Sequence, residues 1–202
     1  MSLRMALRSA TAEDHAALEE TGIMRVISSG SPTEAEFAGY LERQWSLHMA
    51  LEPGLAPWVP EPWIGERLIK RHWLKEDLRA LGRTSQRSAL AIPRIASPAE
   101  ALGSLYVLEG STLGLRLIEK RLSPGHPALA DAGHFIRGYG PDNGIRWKNF
   151  LGHLEKLPEG DWPAAISAAL ATFALFLEAF ADPLPGETDA RSPDGMTPTI
   201  LP

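Results

Sequence analysis

Between Ser97 and Leu122 the chain reads "SPAEALGSLYVLEGSTLGLRLIEKRL", a long stretch of helical period that nevertheless carries Gly103, Gly110 and Gly114. Each glycine inside a helix costs about 1 kcal/mol relative to alanine. Spacings of seven and four put all three on one face, which presents bare backbone where side chains would stand. Two physical readings account for such a face. Either a second helix presses into the groove, or a flat ligand lies where any side chain would push it away. The pattern alone leaves both open, and in either case it commits the fold to a long helix with a close neighbour.

The remaining segments agree with an all-α, single-domain, multi-helix fold. Nearly every segment has helical period, and sustained alternation is absent. A chain of 202 residues is long enough to bury one sizeable core. A first helix is expected from about Leu3 or Leu7 to Ser28. A second has Ser31 as N-cap and Pro32 in its first turn, and continues to about Leu51. A third spans Trp63 to Leu81. The glycine-bearing helix opens with Ser97 as N-cap and Glu100 completing a capping box. Shorter helices follow near Ala128–Arg137 and Asp142–Leu157, and a last one, capped by Asp161, ends near Phe180. Residues 1–181 thus read as one helical domain and residues 182–202 as a Pro-rich polar tail.

Composition narrows the functional classes. The net charge of −5 argues against a general nucleic-acid partner, and the longest basic run, "IKRHWLK", reads as a solvated helix face. With no cysteine, disulfides and thiolate chemistry are excluded. The opening "MSLRMALRSATAEDH" has no signal-peptide core, and "PAAISAALATFALFLEAFA" reads as an Ala-rich buried helix and not a membrane span, so a cytoplasmic protein is expected.

His15 is the most informative of the six histidines. Thr11 lies four residues before it and Glu19 four after, so the three share a helix face. A metal-bound histidine needs an acceptor on its second ring nitrogen, and Glu19 is placed to serve. Spacing alone favours an ordinary surface or capped histidine with an incidental helical carboxylate, since single His–Glu pairs are common. No histidine has glutamate three residues before it, and only His134 has an aspartate there, Asp131, which counts against a di-metal carboxylate bundle. No His-x-x-x-His and no phosphate-cradling glycine motif occurs. Ser104, Ser111 and Thr112 lie in the glycine-bearing helix without a nucleophile elbow.

Taken together, "LRSATAEDHAALE", "LYVLEGSTLGLRLI" and "FIRGYGPDNGIRWKNF" resemble the heme oxygenases, most closely the bacterial branch that often accompanies bacteriophytochromes. The resemblance covers the chain to about Phe180. It implies heme held between a proximal and a distal helix, with His15 as axial ligand to the iron and Glu19 supporting its second nitrogen. Thr11 belongs to the same proximal segment. Gly110, Ser111 and Gly114 would form the distal face that positions the chemistry, and Arg8 would approach a heme propionate, with Arg146 and Lys148 as weaker propionate candidates. The implied reaction opens heme to biliverdin, carbon monoxide and ferrous iron, using O2 and electrons from an external donor such as ferredoxin or a flavoprotein reductase. A bacteriophytochrome is an implied biliverdin acceptor. Two positions depart from the wider family pattern. Ser111 stands where many plant- and animal-type members have aspartate, and Leu115 where another glycine is usual. Leu115 either narrows the pocket or packs on a neighbouring helix. The rival expectations are a non-catalytic heme-binding or heme-sensing protein of the same fold, and a related fold that takes another small molecule.

Overall fold

The computed structural model describes residues 2–84, 90–91, 94–122, 126 and 131–181. The tail expected from residue 182 lies outside them. Among the described residues the regular structure is helical throughout: α1 (Leu3–Ala10), α2 (Ala12–Glu19), α3 (Gly22–Ser29), α4 (Glu34–Leu55), α5 (Glu61–Glu66), α6 (Lys70–Ala80), α7 (Pro98–Arg121), α8 (His134–Arg137), α9 (Asn143–Leu154) and α10 (Trp162–Phe180), with short tighter turns between some of them. The part of the expected 128–137 helix before Asp131 is outside the described residues.

The expected first helix is three. Thr11 leaves helical geometry at φ −98° and ψ 7°, and its hydroxyl donates to the Leu7 carbonyl at 2.9 Å, closing α1. Thr21 is extended, and Gly22 begins α3. The breaks let the buried face change: Leu3 and Leu7 are buried on α1, Ile23 and Ile27 on α3, and no residue is buried on α2. The chain thereby carries a largely exposed helix, the one that bears His15, with Leu18 half-buried against the core.

Four other boundaries differ from expectation. Thr33, not Ser31, caps α4: its hydroxyl accepts the Glu36 amide at 3.3 Å while the Glu36 carboxylate accepts the Thr33 amide at 2.7 Å. Ser97 caps α7 as expected, but the Glu100 carboxylate reaches one residue further back, to the Ala96 amide at 2.6 Å. Asp161 makes no side-chain cap to α10. The expected Trp63–Leu81 helix breaks between Glu66 and Lys70, so "IKRHWLK" is not a solvated face throughout: Lys70 is 2% exposed and ion-paired.

The core forms where α10 lies along α7, with α4 and α6 packed beside them. Ala165, Ala168 and Ala169 give α10 a shallow face, and Phe173, Phe176 and Phe180 fill the space beyond it. Each fully buried side chain of this size stabilises by about 1.5–3 kcal/mol. By length and composition the stretch containing α10 could cross a membrane, but half of it is buried inside this fold, and that packing accounts for its apolar character. Gly103 is the closest crossing. A Cβ added there would overlap the Ala165 carbonyl oxygen and lie 2.9 Å from its Cα. For Gly103, helix packing is the reason for glycine.

Gly103→Ala should therefore destabilise the protein by about 1–3 kcal/mol through overpacking. Gly114→Ala, on the same helix but with nothing within 4 Å of the added carbon, should stabilise by up to about 1 kcal/mol. Urea unfolding of the two ligand-free variants checks the opposite signs.

Candidate functional site

Directly before Gly110, the Glu109 carboxylate is 2% exposed and takes three donors. Arg67 Nη1 and Lys70 Nζ each approach it at 2.6 Å, and the Tyr139 hydroxyl donates at 2.9 Å. Burial alone would push this carboxyl up, but Lys70, Arg67 and Tyr139 outweigh it and hold it below the usual range. The Tyr139 phenol is pushed up to about 12, chiefly by burial. This cluster pins α7 to α6 and to the segment leading into α9. The break between α5 and α6 is what brings Arg67 and Lys70 onto the same carboxylate.

A second buried pair lies on α4. His48 Nδ1 is 3.0 Å from Glu52 Oε1, which also accepts the Arg71 amide at 3.1 Å. Burial holds the His48 imidazole below the usual histidine range, against the opposing pull of Glu52. Asp77, wholly buried, caps α8 by accepting the amides of His134 and Phe135 at 3.0 and 2.8 Å.

His15 stands on the accessible α2 with 62% of its side chain exposed. Its Nδ1 is 3.6 Å from Glu19 Oε1, just beyond a direct hydrogen bond. One edge of the ring meets Phe173 of α10, centroids 6.1 Å apart. Thr11, in contrast, is buried, and its hydroxyl is committed to Leu7, so it shapes the α1–α2 bend and does not point from the His15 face.

The glycine face of α7 divides in two. Gly103 is packed against α10, whereas a Cβ on Gly110 would make only ordinary contact with the Trp147 ring at 3.6 Å, and Gly114 has open space before it. Trp147 also meets Tyr106, centroids 5.6 Å apart, and stacks on Phe150. Tyr106 belongs to this face as well, three residues after Gly103 and four before Gly110. Burial raises its phenol, and the positive charges of Arg4 and Arg8 oppose that rise. The contacts form a circuit: Trp147 on α9 to Tyr106 on α7, α7 along α10, and Phe173 of α10 to His15 on α2.

Other expected residues sit elsewhere. The Ser111 and Thr112 hydroxyls donate back to the Leu108 carbonyl at 2.8 and 3.2 Å, as ordinary helix polar groups do. Leu115 is 4% exposed and belongs to the hydrophobic core, so it packs on neighbouring helices and does not narrow the open face of Gly114. Arg146 is turned to α5, 3.8 Å from the Glu66 carboxylate, and lies over the Tyr139 ring at 4.7 Å. Lys148 lines a separate groove with Trp63 and His153. On α9 the residue facing the glycine helix is thus Trp147. The apolar spacing of Trp147, Phe150, Leu151 and Leu154 carries that signal in the sequence.

The family model for heme oxygenase matches residues 1–182. The chain belongs to the heme oxygenase family. A heme oxygenase of Xanthomonas campestris pv. campestris (strain 8004) is 32% identical over 160 residues, 76% of this chain and 94% of that protein. Among solved structures, the NO- and CO-bound heme oxygenase of Neisseria meningitidis is 25% identical with a TM-score of 0.66, covering 98% of this chain and all of that one. The heme oxygenase of Leptospira interrogans superposes with a TM-score of 0.72 at 19% identity, over 90% of this chain and 99% of its own, a likeness of fold. The chain therefore has the all-α architecture expected, in a family of heme-degrading oxidoreductases. Among the described residues no cluster of three or more metal-ligating side chains occurs.

Two stability measurements test the buried charges. Glu109→Gln strands Arg67 and Lys70 and should destabilise by about 3–5 kcal/mol in chemical denaturation. For His48 the folded value lies below the unfolded one, so between them the unfolded chain holds a proton the folded chain lacks. Stability from neutral His48 is complete above about pH 6.5 and declines on acidification below it, by up to about 1.4 kcal/mol per pH unit. Urea midpoints should fall from pH 7 to pH 5, with a shallower fall in His48→Gln.

Proposed function

We propose that this chain binds heme with His15 as the single protein ligand to iron and opens it oxidatively to biliverdin, carbon monoxide and ferrous iron, with O2 and electrons from an external donor such as ferredoxin or a flavoprotein reductase. The observation that carries the reading is the division of the α7 glycines. Gly114 lies in a well-formed helix with nothing where a Cβ would stand, so neighbouring-helix packing does not explain it. A flat macrocycle pressed to bare backbone does. The same circuit of helices presents an exposed histidine, which suits an open axial ligand better than a structural role.

The residues present fit the group. His15 offers a ring nitrogen while Glu19 orients the other, and a neutral imidazole is the ligand chemistry required. Arg8, whose positive charge acts with that of Arg4 on Tyr106, suits the anionic propionates. Gly110 and Gly114 hold the distal face close, Trp147 stands beside Gly110, and Ser111, its hydroxyl turned to Leu108, leaves that face without a strong acid. When bound, heme supplies both the iron that activates O2 and the macrocycle that is oxidised. The protein's part is to orient the ring and exclude bulk water. Leu115, in the core, lends no support to a heme-binding protein that has lost turnover. Delivery of biliverdin to a bacteriophytochrome belongs to this proposal and rests on the sequence resemblance.

Reconstitution with hemin should give a Soret band, and ascorbate or a ferredoxin system should convert it to biliverdin absorbance. His15→Ala should lose the wild-type Soret position and all turnover. Glu19→Gln should weaken heme binding by about tenfold or more. An unchanged Soret spectrum in His15→Ala would remove the ligand assignment. An oxygenated heme spectrum that persists without conversion would remove the enzymatic one.

A further inference from the structure

A groove of about 550 Å³ runs between α5 and the outer face of α9, lined by Trp63, Arg67, Lys148, Asn149, His153 and Lys156, together with Glu66 and Gly152. None of these residues is on α2, α7 or α10, and they occupy the side of α9 turned away from Trp147 and the buried Phe150 and Leu154. The groove is therefore separate from His15 and from the glycine face of α7.

Its charge is out of balance with the rest of the molecule. The chain as a whole carries −5. Of the charged side chains that line this groove, Arg67, Lys148 and Lys156 are cationic and Glu66 is the carboxylate, with Arg146, Lys70 and the buried Glu109 adjoining them. Glu109 is shared between Arg67 and Lys70, so that buried trio keeps one uncompensated positive charge, and Glu66 is drawn to Arg146. Glu155, the carboxylate next to Lys156, is turned to the Arg4 amide at 3.0 Å. Neither the Lys148 nor the Lys156 ammonium is paired with a carboxylate among the described residues. The field is felt by His153, whose imidazole is held below its ordinary range by burial and then by Lys156 and Arg67. Trp63 closes the floor, with the Arg67 guanidinium 4.4 Å above its ring and His153 4.8 Å away. Exposed ammonium groups lining a concave surface, with no carboxylate paired to them, are features of an anion site.

We propose that this groove binds a small oxyanion, the phosphate or carboxylate group of a metabolite, held by Lys148 and Lys156 with the Asn149 amide beside them. Arg67 adds charge from beneath, its terminal nitrogens being committed to Glu109 and the Arg146 carbonyl. The amide and the two ammonium groups are free to wrap an anion without disturbing the buried cluster.

The test titrates the full chain with inorganic phosphate and, separately, with succinate, at constant ionic strength maintained with chloride. Ring-proton NMR shifts of His153 and Trp63 report binding. Saturable shifts in the millimolar range are expected, with the His153 titration midpoint moving upward as the anion favours imidazolium. Tighter phosphate identifies a phosphoryl group as the ligand, and tighter succinate a carboxylate. The double variant Lys148→Gln/Lys156→Gln should bind at least about tenfold more weakly, while Lys120→Gln, on the exposed end of α7, should bind as the wild type does. Repeating the titration on heme-loaded protein should give the same affinity. Shifts that grow without saturation, shifts equal in the double variant, or displacement of phosphate by heme would each overturn the proposal. The ligand-free titration stands whether or not His15 binds heme.

Discussion

The carboxylate of Glu109 carries more of this architecture than any other polar group. It sits in the middle of α7, and two cations and a phenol from other segments converge on it. Charges so thoroughly buried are tolerated only when each is paired and hydrogen-bonded, and the break between α5 and α6 exists to bring both cations to one carboxylate. Tyr139 extends the clamp toward α9, and α9 in turn carries Trp147 to the glycine helix. Gly110 is the next residue along the chain, so the position of the candidate distal face follows from an ion cluster on the opposite side of the same helix.

Against that anchor the three glycines of α7 divide their work. Gly103 lets two helix backbones meet, with Ala165 of α10 as the partner. Gly110 faces an aromatic edge at ordinary contact distance, and Gly114 faces nothing. One helix thus sets a tight crossing at its start and open backbone three turns later, at Gly114. The crossing holds α10 close at one end, while α2, reached through the bend at Thr11, carries His15 exposed.

How much of this was legible varied by element. Helical class, the Ser97 cap, the core character of α10 and the grouping of His15 with Glu19 all follow from local spacing. The breaks within 3–29 and 61–81 did not, because helical period continues across them and the gain that opens them is a distant burial or ion pair. Lys70 shows the limit best: its neighbours make a basic run that looks solvated, and only Glu109, far along the chain, turns it inward. Arg146 and Lys148 were expected at a propionate edge through the family resemblance of their segment, yet Trp147 between them faces the glycines, as the apolar spacing of α9 indicates.

By itself the sequence determined that this protein is helical, that one helix bears a face without side chains, and that a histidine with a carboxylate one turn away precedes it. These are properties of residue spacing, and a helix repeats every 3.6 residues whatever surrounds it. Only the tertiary structure decided which glycine meets a helix and which meets open space, which cations are buried, and that Leu115 belongs to the core. Those outcomes depend on which segments become neighbours, and burial and charge pairing between residues far apart in the chain have no period to read.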